Sequence, residues 1–80
     1  MSIDMPEKEK EWLEAEALKA ARQQEGCHDL EAVRIRPTHT NRSGTHWEVA
    51  ELIPPLPQLA ESYARKAIDR LRGTYSLKRS

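Results

Sequence analysis

Cysteine, glycine and phenylalanine are scarce in this sequence, which has one, three and none of them. The single Cys27 cannot form an internal disulfide, and three scattered glycines exclude a glycine-rich phosphate-binding loop. No apolar run approaches the roughly 18 residues that a membrane-spanning helix requires. The charged-then-apolar pattern of a secretory signal peptide is also missing. We therefore expect a cytoplasmic protein that does not interact with membranes.

A net charge is lacking too, because thirteen Lys and Arg residues balance thirteen Asp and Glu residues. This balance argues against a general binder of polyanions. The charge is nevertheless unevenly distributed. Residues 1–40 contain six basic and nine acidic residues, whereas residues 41–80 contain seven and four. Eighty residues allow one small domain, which we assign to residues 1–80.

The first part of the chain predicts a helix over about residues 5–25. Asp4 and Glu7 have the spacing of a capping box at a helix start. No helix breaker follows until Gly26, which suits a C-terminal cap. The apolar face of this helix is thin and rich in alanine, with Leu13 as its largest member.

The middle of the chain changes to a period of two, which is typical of half-buried strands. We predict strands over about residues 31–37 and 45–53. The tetrapeptide 41–44 between them favours a type I turn. Pro37 has no N–H to donate, so it must face away from the second strand or lie in an irregularity. Glu51 interrupts the alternation of the second strand.

The last helix is predicted over about residues 56–72, with Pro57 in its first turn and Gly73 as its C-terminal cap. A flexible tail, residues 76–80, follows. The fold is therefore predicted to be α+β, of order α-β-β-α, with two helices packed on one face of an antiparallel hairpin. The predicted core consists of Leu13, Ala17, Val33, Ile35, Trp47, Val49, Leu59, Tyr63, Ala67 and Leu71.

Residues that could support metal or acid–base chemistry are few. Cys27, His28, His39 and His46 do not have the spacing of a tetrahedral zinc site, so we expect neither a metal nor a cofactor. Cys27 is interpreted as a small buried packing residue. Ser43 and His46 lie close in sequence, but no nucleophile-elbow motif surrounds them. We assign no catalytic residue and expect a protein that is not an enzyme.

Six short features lie within residues 13–77: Gly26-Cys27, Val33-Arg-Ile35, Gly44-Thr-His-Trp47, Pro54-Pro55, Ala67-Ile68 and Leu71-Arg72. In these features the chain resembles a group of short uncharacterised bacterial proteins. This resemblance supports the helix–hairpin–helix arrangement and implies no activity.

A shorter stretch, Gly44-Thr45-His46, is similar to the Gly-Ser-His motif of messenger-RNA-cleaving toxins with a double-stranded-RNA-binding-like fold. In those toxins the histidine begins the second strand and is catalytic, so the resemblance implies a catalytic role for His46. This sequence departs from the toxin pattern because it lacks their third strand and the glycine beyond the proline run.

These observations favour a small non-enzymatic accessory or protein-interaction module. The alternative is a nucleic-acid-binding module, since residues 57–80 contain six basic and two acidic residues. An RNA-cleaving enzyme is a third interpretation. We also expect a protein partner or a homodimer, formed through the unpaired edge of the second strand. The candidate binding surface comprises Trp12, Arg34, Arg36, His46, Arg65 and Arg70.

Overall fold

The computed structural model describes residues 6–41 and 44–78. The predicted α+β class is confirmed, but two short terminal strands join the hairpin, so the order α-β-β-α is incomplete. One mixed sheet of four strands has the order β1-β4-β3-β2. The elements are β1 (Glu7–Lys8), α1 (Lys10–Arg22), β2 (Ala32–Asn41), β3 (Gly44–Ile53), α2 (Gln58–Arg72) and β4 (Ser76–Leu77).

Helix α1 is shorter than the predicted range of about 5–25. It starts at Lys10, because the residues before it belong to the sheet. The predicted capping box is therefore wrong: Glu7 lies in a strand, and Asp4 lies outside the described residues. Gly26 does not cap the helix either. It lies in the following turn with a φ of 84°.

The predicted flexible tail is an ordered part of the sheet as far as Lys78. The Ser76 N–H donates to the Pro6 carbonyl at 2.9 Å, and the Lys78 N–H donates to the Lys8 carbonyl at 2.8 Å. Strands β1 and β4 thus pair in parallel. The last two residues, 79–80, lie outside the described part of the chain.

Strands β2 and β3 form the predicted antiparallel hairpin, and both are longer than predicted. Ile35 faces Val49 and Arg34 faces Glu51, so β3 contains one extra residue at this point. Such a bulge shifts the alternation of side chains along the strand. It explains why Glu51 is exposed while its neighbour Leu52 is buried.

A second irregularity follows Pro37, which faces Trp47, whereas Thr40 faces Thr45. Of the two predicted alternatives for Pro37, the irregularity in the pairing is thus observed. The turn residues 42–43 lie outside the described part of the chain, so the type I turn stays a prediction.

Strand β3 lies inside the sheet, between β2 and β4. Thr45 pairs with Leu77 of β4, and the carbonyl of Trp47 accepts a 2.7 Å hydrogen bond from Arg72 Nε. The edge that the sequence predicts to be open is therefore occupied near its start, at Thr45 and Trp47. The sequence pattern predicts a two-stranded hairpin and a flexible tail, so it does not contain this pairing.

Helix α2 starts at Gln58, two residues later than predicted, and Pro57 is its N-cap residue. Gly73 is its C-cap residue, as predicted. The face that α2 buries consists of Ala60, Ala64 and Ile68.

The core lies between the two helices and one face of the hairpin. Leu59 and Tyr63 are wrongly predicted core residues, because 66% and 38% of their surfaces are exposed. The small Ala60 is buried instead, where α2 closely approaches the turn at Gly26. The buried residues include the predicted Leu13, Ala17, Val33, Ile35, Trp47 and Val49, together with Ala21, Cys27, Leu30, Leu52, Ala60, Ala64, Ile68 and Leu77.

Candidate interaction surface

Three candidate residues, Arg34, Arg36 and His46, lie on the sheet face opposite the helices, since their β-strand neighbours point into the core. Arg36 Nη2 lies 3.4 Å from Glu48 Oε2 on the facing strand. Arg34 is paired in register with Glu51. Acidic residues therefore face both arginines across the hairpin, with an ion pair between Arg36 and Glu48.

His46 stacks on His39, with their ring centroids 4.5 Å apart and their planes inclined by 16°. The catalytic role of His46, which the resemblance to the messenger-RNA-cleaving toxins implies, is not tested by this contact and stays a prediction.

Trp12 packs against the C-terminal segment. Its ring meets the Tyr75 ring edge to face, with centroids 4.9 Å apart. Lys8 Nζ lies 4.8 Å from the centroid of the Trp12 ring, a distance typical of a cation–π contact. Trp12 therefore helps to hold both ends of the described chain together.

Arg65 lies on a flank of α2 whose charges are paired within the helix. Its Nη2 lies 2.9 Å from Glu61 Oε1, and Arg72 Nη1 lies 3.0 Å from Asp69 Oδ1. Spacings of three and four residues place these side chains side by side on the helix surface. This paired flank has little charge left over for a ligand.

Arg70 lies on the opposite flank of α2, in a row formed by Leu59, Tyr63, Lys66 and Arg70, which we call the outer stripe. The spacings of four, three and four residues place the row on one side of the helix. Within the part of the chain that the structure describes, no carboxylate pairs with Lys66 or Arg70. The outer stripe thus combines two exposed apolar side chains with two unpaired cations.

A hollow of about 160 Å³ lies beside the outer stripe, between α2 and the segment that follows α1. Its lining includes Gln24, which follows α1, and Tyr63, Lys66, Ala67 and Arg70 of α2. The stripe is therefore bordered by a small hollow whose lining includes both of its cations.

A second, open hollow of about 430 Å³ lies near the end of α1 and is lined in part by Lys19, Arg22 and His28. Lys19 and Arg22 belong to the last turn of α1. Cations there stabilise the partial negative charge of a helix C-terminus. Their position is explained by the helix itself, so this hollow indicates no ligand.

Cys27 is fully buried, and its Sγ donates to the Ala60 carbonyl at 3.3 Å. Burial raises the pKa of the Cys27 thiol, because the thiolate would lose its hydration. The reactive form of a cysteine is the thiolate. The prediction of a buried packing residue is confirmed.

No protein-family model, curated protein or solved structure matches this chain. Within residues 6–41 and 44–78, neither helix has the length and apolar character that crossing a bilayer demands. The same residues bring together no group of three side chains able to hold a metal ion.

The six candidate residues do not form one site: three lie on the sheet face, one packs on the C-terminal segment, and two lie on opposite flanks of α2. The sequence pattern predicts Leu59 and Tyr63 as core residues, and it does not indicate Lys66 as part of a binding surface. A signal was nevertheless present: α2 has more apolar residues than one buried face can accommodate. The apolar residues in excess are Leu59 and Tyr63, which lie one turn apart. Lys66 and Arg70 follow them on the same side of the helix.

Proposed function

We propose that this chain is a non-enzymatic protein-interaction module that binds its partner through the outer stripe of α2. The observation that carries the proposal is the exposure of Leu59, 66% of whose surface faces solvent, beside the half-exposed Tyr63. An isolated exposed leucine is ordinary, but this one adjoins Tyr63 and Arg70, which are residue types enriched at protein interfaces.

The energetics support this use of the stripe. Complete burial of a leucine side chain contributes about 1.5–3 kcal/mol. Because most of the Leu59 surface is exposed, most of this free energy is available when a partner buries it. Tyrosine and arginine are among the residues that dominate measured binding energies. Tyr63 and Arg70 therefore supply the residue types that serve best as anchors.

The charges of α2 support the same conclusion. Arg65 and Arg72 are neutralised by acids within their own helix. Lys66 and Arg70, on the other flank, are left for an external acid. A protein partner satisfies both halves of the stripe, whereas a nucleic acid would use the cations and leave Leu59 without a contact.

Site-specific photo-crosslinking tests the proposal. A photoreactive phenylalanine analogue replaces Leu59 in one variant and Arg65, on the paired flank, in another. We expect one defined protein to crosslink at position 59 and not at position 65. The identified partner is then purified, and its affinity for the native protein is compared with its affinity for Leu59→Ala and Arg65→Ala.

The expected result is binding that weakens about tenfold in Leu59→Ala and changes less than about twofold in Arg65→Ala. Equal crosslinking at both positions, or equal affinity of both variants, contradicts the proposal. A crosslink to a second copy of this chain assigns the stripe to self-association. A crosslink to RNA assigns it to nucleic-acid binding.

A further inference from the structure

The outer stripe has a direction. Leu59 and Tyr63 occupy its first half and Lys66 and Arg70 its second half, counted along α2. At 1.5 Å per residue the four side chains span about 16 Å, which is roughly three helical turns. A matching ligand must therefore be apolar at one end and acidic at the other.

A helical ligand meets this requirement in one orientation better than in the other. Acidic side chains are favourable in the first turn of a helix, where the backbone carries a partial positive charge. A helix with acids in its first turn and apolar residues in its last two turns would place its start at Arg70. Its end would then lie at Leu59, and the helix would run antiparallel to α2.

The two apolar side chains of the stripe fix where the ligand's anchors lie. Leu59 and Tyr63 are one turn apart, so two apolar residues one turn apart on the ligand pack on them, which is the usual spacing for a helix bound in a groove. The hollow of about 160 Å³ lies further along α2, and its lining includes Tyr63, Lys66 and Arg70. This cationic lining suits an acidic side chain of the ligand.

Building on the proposed function, we infer that the partner presents an amphipathic helix with an acidic first turn and two apolar anchors near its end, bound antiparallel to α2. RNA is disfavoured because the stripe has two cations and the whole chain has no net charge. A second copy is disfavoured because its own outer stripe would bring cations into the same contact.

Two synthetic peptides test the inference. Each has about 15 residues, or four helical turns. The forward peptide has three glutamates in its first turn, two leucines one turn apart near its end, and alanine and glutamine elsewhere. The reverse peptide has the same composition in the opposite order. Both are labelled, and binding to the native protein is measured by fluorescence anisotropy.

We expect the forward peptide to bind at least about tenfold more tightly than the reverse peptide, since only one order pairs acids with cations and anchors with apolar side chains. Leu59→Ala should weaken the forward complex about tenfold. Arg70→Glu should weaken it too, and a forward peptide with lysines in place of glutamates should restore binding to this variant. Arg65→Glu, on the paired flank, should change the affinity less than about twofold.

Equal binding of the two peptides, or a loss in Arg65→Glu as large as in Arg70→Glu, overturns the inference. Absence of binding by either peptide overturns it as well. The proposed function then still stands if the photo-crosslinked partner binds through Leu59 by a non-helical or non-acidic segment. Light scattering of the native protein alone shows whether a second copy occupies the stripe instead.

Discussion

Gly26 shows how a single residue sets the approach of two elements. Its φ of 84° lies in the left-handed region, which residues with a Cβ adopt at a cost of about 1–2 kcal/mol. An added Cβ would also lie 3.3 Å from the Cβ of Ala60, closer than most such contacts. Glycine at this position therefore allows the chain to turn after α1 while α2 packs closely against the turn.

The Gly26→Ala variant should lower the free energy of unfolding by about 1–2 kcal/mol, because it adds both backbone strain and crowding. Gly73→Ala is the matched control, since Gly73 has a φ of −82° and its nearest neighbour would lie 3.7 Å from an added Cβ. That control should be neutral or more stable by about 0.4–1 kcal/mol. Urea unfolding measures both variants, and equal effects would contradict the role assigned to Gly26.

The outer edge of β2 illustrates how an element is protected from unwanted pairing. The Ile35 N–H points away from β3 and donates to Glu14 Oε2 of α1 at 3.0 Å. Pro37, two residues further along the same edge, has no N–H to offer. An exposed strand edge attracts other strands unless it is blocked. The Glu14 carboxylate and Pro37 together make β2 a poor template for a sheet shared between two molecules.

Replacement of Glu14 by alanine should expose the Ile35 amide. We expect hydrogen exchange at Ile35 to become at least about tenfold faster, which corresponds to a loss of about 1.4 kcal/mol of protection. Glu14→Gln keeps an acceptor oxygen, so the Ile35 amide should lose less of its protection from exchange in this variant. Glu11→Ala, on the exposed side of the same helix, is the control. Unchanged exchange at Ile35 in Glu14→Ala would show that this hydrogen bond does not protect the edge.

The two helices and the hairpin could be predicted from the sequence because each has a strong local period. Strands β1 and β4 could not, because each has two residues and exists only through pairing with a distant segment. The bulge opposite Arg34 was signalled by Glu51 but required the register to be understood. These failures concern contacts between residues far apart in sequence, which a local pattern does not contain.

The side of α2 that faces the core differs from the prediction for another reason. The helix has one apolar row at Ala60, Ala64 and Ile68 and a second that begins with Leu59 and Tyr63. Side-chain size favours the second row for the core, whereas packing beside the turn at Gly26 requires the smaller residues. The sequence pattern therefore assigns Leu59 and Tyr63 of the stripe to the core. Of the four stripe residues, only Arg70 belongs to the binding surface predicted from sequence.

At the scale of the whole molecule, the C-terminal segment joins the sheet to the helices. The Trp47 Nε1–H donates to the Tyr75 carbonyl at 3.0 Å, and the Tyr75 ring packs on Trp12 of α1. Ser76 is completely buried. Arg36 of the opposite sheet face pairs with Glu48, whereas within the described residues no carboxylate pairs with Lys66 or Arg70, and the proposed interaction surface is therefore placed on α2.

The central claim is that Leu59 serves binding and not the core, and urea unfolding of Leu59→Ala beside Ile68→Ala tests it most directly. Both variants shorten an aliphatic residue of α2, but Ile68 is completely buried. We predict that Ile68→Ala loses about 2–5 kcal/mol of unfolding free energy, whereas Leu59→Ala stays within about 0.5 kcal/mol of the native protein. A loss in Leu59→Ala as large as that in Ile68→Ala would place Leu59 in the core and contradict the proposed binding stripe.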